Sequence, residues 1–182
     1  MKKIMICLLV MTLLVGCTPK QTDKPLNNYQ METIDVDMTI YHGMPFSGHA
    51  FKGIKMQNFF DLIDNKGTAL IFIGYKGCGA CQISVPLINQ AAKQTDNTIY
   101  YIDATSYSDE EYNKYIEITK DFLNKDDGEP ALYTPSLMLV NDGEIIDNII
   151  GIPEVNANGS LTKDQEKTVI NAYKELLNKI KK

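Results

Sequence analysis

Residues 69–73 read Ala-Leu-Ile-Phe-Ile, an unbroken apolar run that ends at Gly74. A strand with one wet face alternates apolar and polar side chains. A run without alternation has to be covered on both faces. Helices on either side of a sheet supply that cover, so the run points to the α/β class. The 182 residues are 44% hydrophobic and 23% charged, which suits one domain with such a core.

The flanking segments supply the other layers. Residues 34–40 alternate Asp35, Asp37 and Thr39 with Val36, Met38 and Ile40, which predicts a half-exposed strand. Residues 41–52 hold both histidines and three glycines or prolines, which predicts a loop. Met56, Phe59, Phe60 and Ile63 recur at helical spacing and predict a short helix ending near Asn65-Lys66-Gly67. A helix is expected over residues 78–94 and a strand over residues 98–102. Ser108-Asp109-Glu110-Glu111 reads as a capping box. The helix it opens carries Tyr112, Tyr115, Ile116, Phe122 and Leu123 on one side. Residues 126–129 predict an acidic loop. Asn141-Asp142-Gly143, between residues 137–140 and 144–150, predicts a hairpin. A last helix follows Thr162, with Val169, Ile170, Tyr173, Leu176, Leu177 and Ile180 as its apolar stripe. The order β, α, β, α, β, α, β, β, α describes a mixed sheet covered by helices.

The first residues differ from the rest. Lys2 and Lys3 precede an apolar run over residues 4–15, followed by Gly16 and Cys17. This is the pattern of a secretory signal. The run is short for a membrane span, which needs ~20 apolar residues. Leu14-Val15-Gly16-Cys17 resembles the lipobox of bacterial lipoproteins, in which the cysteine takes a diacylglyceryl group and begins the mature chain. The resemblance implies a signal peptide at 1–16, lipidated Cys17 with a tether over 17–33, and a domain over 34–182. The protein would then be extracytoplasmic, held to the cell membrane through its lipid. The alternative is an ordinary signal peptide with an incidental cysteine. Without Lys2 and Lys3, 16 of the 18 basic residues face 23 acidic ones, a net charge of −7. That balance argues against nucleic acid as a partner and against electrostatic adhesion to anionic lipid.

Of the four cysteines, Cys7 falls in the signal and Cys17 at its end, leaving Cys78 and Cys81 as one pair in the domain. Spaced C-x-x-C across the first turn of a helix, they can close a small disulfide ring. The first would lie at the helix N-terminus, where unpaired N–H groups and the dipole favour a thiolate. The second lies further in and can resolve a mixed disulfide. Two alternatives stand beside this redox reading. One is a permanently closed structural disulfide, although so small a ring constrains little chain. The other is half of a zinc site completed by His42 and His49. In the redox reading no metal or organic cofactor is expected, because the cysteine pair itself stores two electrons.

From about residue 56 to residue 180 the chain resembles the thioredoxin superfamily. Pro86 falls five residues after Cys81, and Thr134-Pro135 precedes an apolar strand. Gly143 and Gly151 follow Pro135 by eight and sixteen residues, and Tyr101-Ile102-Asp103 closes the strand after the cysteine helix. The resemblance implies a thioredoxin-like mixed β-sheet flanked by helices, a helix kink at Pro86 and a cis-proline at Pro135. It also implies a substrate groove formed by Thr134, Pro135, Gly79 and Ala80, with Cys78 attacking and Cys81 resolving. Residues 74–81, followed by Val85-Pro86-Leu87-Ile88, are similar to the thioredoxin-like bacteriocin transport accessory proteins. Those insert a helix before the cis-proline, as residues 106–126 are expected to do here. The chain departs from thioredoxins in three places. Gly77 stands where they have tryptophan, Gly79-Ala80 where they have Gly-Pro, and Phe72 where they have a buried acid. The proton acceptor for the resolving thiol is therefore not identified. The function implied is a monomeric thiol–disulfide oxidoreductase acting on protein or peptide thiols and disulfides, in either direction. The alternative is a non-catalytic binding module associated with bacteriocin-type peptide export.

Overall fold

The computed structural model of the protein describes residues 29–153 and 160–181. The predicted signal peptide, Cys17 and most of the tether lie outside those residues. A five-stranded sheet forms the centre. Its strands are β1 (Phe51–Gly53), β2 (Ala69–Gly74), β3 (Ile99–Asp103), β6 (Ser136–Asn141) and β7 (Glu144–Ile150). β3 runs parallel to both β1 and β2, whereas β6 is antiparallel to β2 and to β7.

All six residues of β2 are buried, and the lack of alternation in its sequence has the expected cause. Leu70 and Phe72 join one core with α2 (Gly79–Thr95) and α4 (Lys163–Asn178), through Val85, Ile88, Val169 and Leu177. Ala69, Ile71 and Ile73 join a second core with α1 (Met56–Asp64) and α3 (Asp109–Thr119), through Phe59, Phe60, Leu62 and Tyr115. The result is three layers, and the C-terminal end of β2 opens directly into the cysteine segment.

Two expectations need correction. Residues 34–40 do not form a strand. Ile34 alone bridges Gly53, and Met38–Ile40 is a 3-10 turn. The Asp37 carboxylate accepts the Thr39 N–H at 2.9 Å and so offers the backbone an alternative to a ladder. The alternation nevertheless reports burial, since Met38 is fully buried while Asp37 and Thr39 are exposed. The first strand instead begins in the last two residues of the expected loop over 41–52 and ends at Gly53.

The helix expected over 106–126 stops at Thr119. A 3-10 turn, Lys120–Phe122, follows it, and then a small hairpin of β4 (Asn124–Asp126) and β5 (Glu129–Ala131). Phe122 and Leu123 therefore leave the helix, and the acidic loop over 126–129 is the hairpin's turn. Asp127 and Gly128 both take positive φ there, 48° and 90°. This is the same Asp-Gly signal that marks the β6–β7 turn.

The capping box at Ser108 is present. Ser108 Oγ accepts the Glu111 N–H at 3.2 Å, and Glu111 Oε2 accepts the Ser108 N–H at 2.8 Å. We expect Ser108→Ala to cost about 1 kcal/mol, read as a lower denaturation midpoint with faster amide exchange in the first turn of α3. An unchanged midpoint would show that Tyr115, buried against Phe59 with ring centroids 5.6 Å apart, holds α3 without its cap.

Candidate active site

β2 ends at Gly74, the turn Tyr75-Lys76-Gly77 follows, and α2 begins at Gly79 with Cys78 as its N-cap. Cys78 and Cys81 form a disulfide with Cα atoms 5.1 Å apart. The Cys81 N–H points at Cys78 Sγ at 3.1 Å, so the unsatisfied amides of the helix start face the first sulfur. Cys78 keeps 7% of its exposure and Cys81 keeps none. An incoming thiolate can therefore reach only Cys78.

Of the four predicted groove residues, Thr134 is the one whose atoms are placed against that sulfur. Cys78 Sγ lies 3.5 Å from the Thr134 carbonyl oxygen. A disulfide sulfur has no proton to donate, so this is a contact and not a hydrogen bond. The Thr134–Pro135 peptide is cis, and the Pro135 carbonyl accepts the Gly151 N–H at 2.8 Å, which ties the loop to the end of β7. Gly79 is exposed with open space where a side chain would stand, and Ala80 is half-buried. Thr134 is half-buried and Tyr133, beside it, is exposed. The ground in front of Cys78 is thus open on the α2 side and walled by the 133–135 loop. Pro86 sits inside α2, where it has no N–H for the Gln82 carbonyl.

A central mixed sheet, helices on both faces and a disulfide at a helix start opposite an X-Pro loop make up the arrangement. The architecture is thioredoxin-like. No protein-family model matches the chain, and no curated protein sequence matches it. Among solved structures it is similar to thioredoxin from Aeropyrum pernix, at 25% identity over 54% of this chain and 73% of that one, with a TM-score of 0.39. It is also similar to Fasciola hepatica thioredoxin, at 15% identity over 65% and 94% of the two chains, TM-score 0.40. Mitochondrial thioredoxin 3 from Saccharomyces cerevisiae aligns at 18% identity over 54% and 81%, TM-score 0.38.

Two side chains that the sequence did not single out, Gln82 and Tyr41, shape the site together with Tyr101 of the strand end. Gln82, directly after Cys81, joins the segment over residues 38–44 to the cysteine turn. Its Oε1 accepts the His42 N–H at 3.0 Å, and its Nε2 donates to Ile40 O at 3.2 Å and to Lys76 O at 2.7 Å. Tyr41 and Tyr101 are buried with their hydroxyl oxygens 3.1 Å apart, and Tyr101 donates to the Gly74 carbonyl at 3.2 Å. Burial pushes Tyr41 up to about 12. Burial also raises Tyr101, helped by its bond to Tyr41. Only contacts between distant segments reveal this set, because Tyr41 lies in a stretch with no regular pattern.

Phe72 is fully buried and supplies no acid to the site. Among the described residues, no three His, Cys, Asp or Glu side chains cluster as metal ligands, and His42 and His49 are not grouped with the cysteines. No described helix is long and apolar enough to cross a membrane.

Proposed function

We propose that the protein is a thiol–disulfide oxidoreductase acting on protein or peptide thiols outside the cytoplasm, anchored by lipid on Cys17. One observation carries the catalytic part: the disulfide sits at a helix start with one sulfur reachable and the other sealed. A structural disulfide gains nothing from that asymmetry, whereas an exchange reaction depends on it. A substrate thiolate attacks Cys78 Sγ, forming a mixed disulfide, and the electron pair of the broken S–S bond passes to Cys81. A second substrate thiolate then displaces Cys78, which leaves as a thiolate beside the helix amides. In reverse, the Cys78 thiolate attacks a substrate disulfide and Cys81 resolves it. The pair of redox partners in the compartment sets the direction. The leader-like residues 1–17 support the location, and the motif over residues 74–81 supports a place beside exported peptides.

Equilibration of the full-length protein with glutathione and its disulfide tests the reaction. Alkylation of the quenched samples should show one two-electron transition between closed and open Cys78–Cys81. A pair that stays closed under excess dithiothreitol in the folded protein would overturn the reading. Mass spectrometry of membrane-extracted protein tests the anchor; an unmodified Cys17 thiol would exclude it.

A further inference from the structure

When the disulfide opens, Cys81 takes the negative charge at a position with no exposed surface. Among the described residues no Asp, Glu, Lys, Arg or His is buried. The buried ionisable side chains besides the cysteines are Tyr41, Tyr101, Tyr115 and Tyr173. Tyr115 belongs to the core on the other face of the sheet. Tyr173 is carried by α4 and is raised to about 12 by burial, with Ser84 of α2 as its polar neighbour. Tyr101 and Tyr41 remain, bonded to each other through their hydroxyls and by Tyr101 to the Gly74 carbonyl, whereas the buried hydroxyls of Ser84 and Ser136 make no hydrogen bond to the cysteine segment.

Gly74 is the floor under Cys81. A side chain on its Cα would lie 3.1 Å from Cys81 Sγ and 2.7 Å from the Phe72 ring. Phe72 and Tyr101 are register partners, and their rings stack with centroids 6.0 Å apart. The Tyr101 hydroxyl is therefore carried on the face of the sheet that holds Phe72, Gly74 and Cys81. Tyr101 has one proton and gives it to the Gly74 carbonyl, so Tyr41 must be the donor within the pair. The Gly74 carbonyl also accepts the Ala104 N–H at 3.0 Å, so it keeps a partner if Tyr101 turns away.

We propose that the Tyr101 hydroxyl, backed by Tyr41, is the donor that stabilises the Cys81 thiolate, turning from the Gly74 carbonyl to the sulfur as the disulfide opens. The inference rests on the oxidoreductase reading above. The electrons balance without a proton transfer. The S–Cys81 bond breaks, its electron pair stays on Cys81 Sγ, and the new S–S bond joins Cys78 to the substrate. Tyr101 exchanges one acceptor for another, and Tyr41 goes on donating to Tyr101, which strengthens it as a donor. Burial keeps both phenols protonated at neutral pH, so they serve as donors and not as bases. Asp103, at the end of β3, raises both tyrosines further by its charge. The other titratable groups on the elements packed around the pair are Asp35, Asp37, His42 and His49 before β1, Lys52 on β1, Tyr75 and Lys76 in the cysteine turn, and Lys93 on α2.

The test uses the full-length protein in a Cys78→Ser background, where Cys81 titrates alone. Thiolate ultraviolet absorbance is followed across pH ~4 to ~11. A hydrogen bond to a charged group predicts that Tyr101→Phe weakens Cys81 as an acid by about tenfold, and Tyr41→Phe by less. In the intact pair, dithiothreitol reduction at neutral pH should slow by a similar factor. A purely structural role would lower stability and leave the Cys81 titration in place. If Tyr101→Phe fails to fold because Tyr41 is left unpaired, Tyr41→Phe/Tyr101→Phe removes both hydroxyls and keeps the packing. A Cys81 titration within twofold of the parent in either folded variant overturns the assignment. If the wild-type disulfide cannot be opened at all, the oxidoreductase reading falls and this inference with it. If it opens normally and the phenylalanine variants match it, only the tyrosine assignment is lost.

Discussion

Cys78→Ser is expected to abolish thiol–disulfide exchange, by on the order of 10³-fold or more, as removal of a nucleophile does. The size of the effect follows from burial. Cys81 has no exposed surface, so it cannot take over as the attacked or attacking sulfur. Cys81→Ser should fail differently. Cys78 keeps its place at the start of α2 with the residue-81 N–H directed at it, so it still attacks. Nothing then resolves the adduct, and a mixed disulfide between Cys78 and substrate should accumulate. Non-reducing electrophoresis of cells expressing each variant distinguishes them. If Cys78→Ser retains the wild-type phenotype, the groove works as a binding surface and the non-catalytic reading replaces ours.

Gly143→Ala should be the most damaging of the single-methyl changes at positive-φ glycines. The residue sits in the β6–β7 turn with φ +77°, where an L side chain costs about 1–2 kcal/mol. Its Cβ would also stand 2.5 Å from the Ile63 carbonyl oxygen and 2.9 Å from Lys66 Cα. Both are backbone atoms at the end of α1, so neither can rotate aside. The turn is tied there by the Gly143 N–H on Gly67 O at 2.9 Å and by Thr68, which links Asn141 and the Asp142 N–H. We expect a total loss of about 3 kcal/mol. Gly48 has a similar φ of +73° but nothing within 4 Å of its Cβ, so Gly48→Ala should cost only about 1 kcal/mol. Urea denaturation of the two variants compares them. Equal losses would mean that the α1 contact yields freely.

The layered order of the domain was readable because each main element carries its own local signal. β2 is apolar throughout because both cores claim it, and α4 carries a one-sided stripe that packs on α2. Thr162 and Ser108 cap their helices by bonds within three residues, and Asp142-Gly143 supplies the two positive φ angles that its hairpin turn needs. The failures share one cause. Residues 34–40 alternate as a strand does, but a strand also needs an edge to pair with, and only Ile34 finds one. The sequence pattern predicts a helix longer than 109–119 because Phe122 and Leu123 continue its apolar side. Phe122 instead lends its carbonyl to Asn148 of β7 at 2.6 Å, a contact 26 residues away.

The amino-acid order alone settles the cysteine spacing, the strand that leads into it and the proline that follows, since these are matters of adjacent residues and short-range sterics. Folding in three dimensions decides which sulfur is sealed, what faces the reachable one and which hydroxyls bond to Gly74 and to each other. Tyr41, Gly74, Cys81 and Tyr101 come from four separate segments. They meet only because β2 and β3 lie side by side and residues 38–44 fold back over α2. Solvent exclusion belongs to that assembly, and the exposure and proton affinity of each group at the site follow from it.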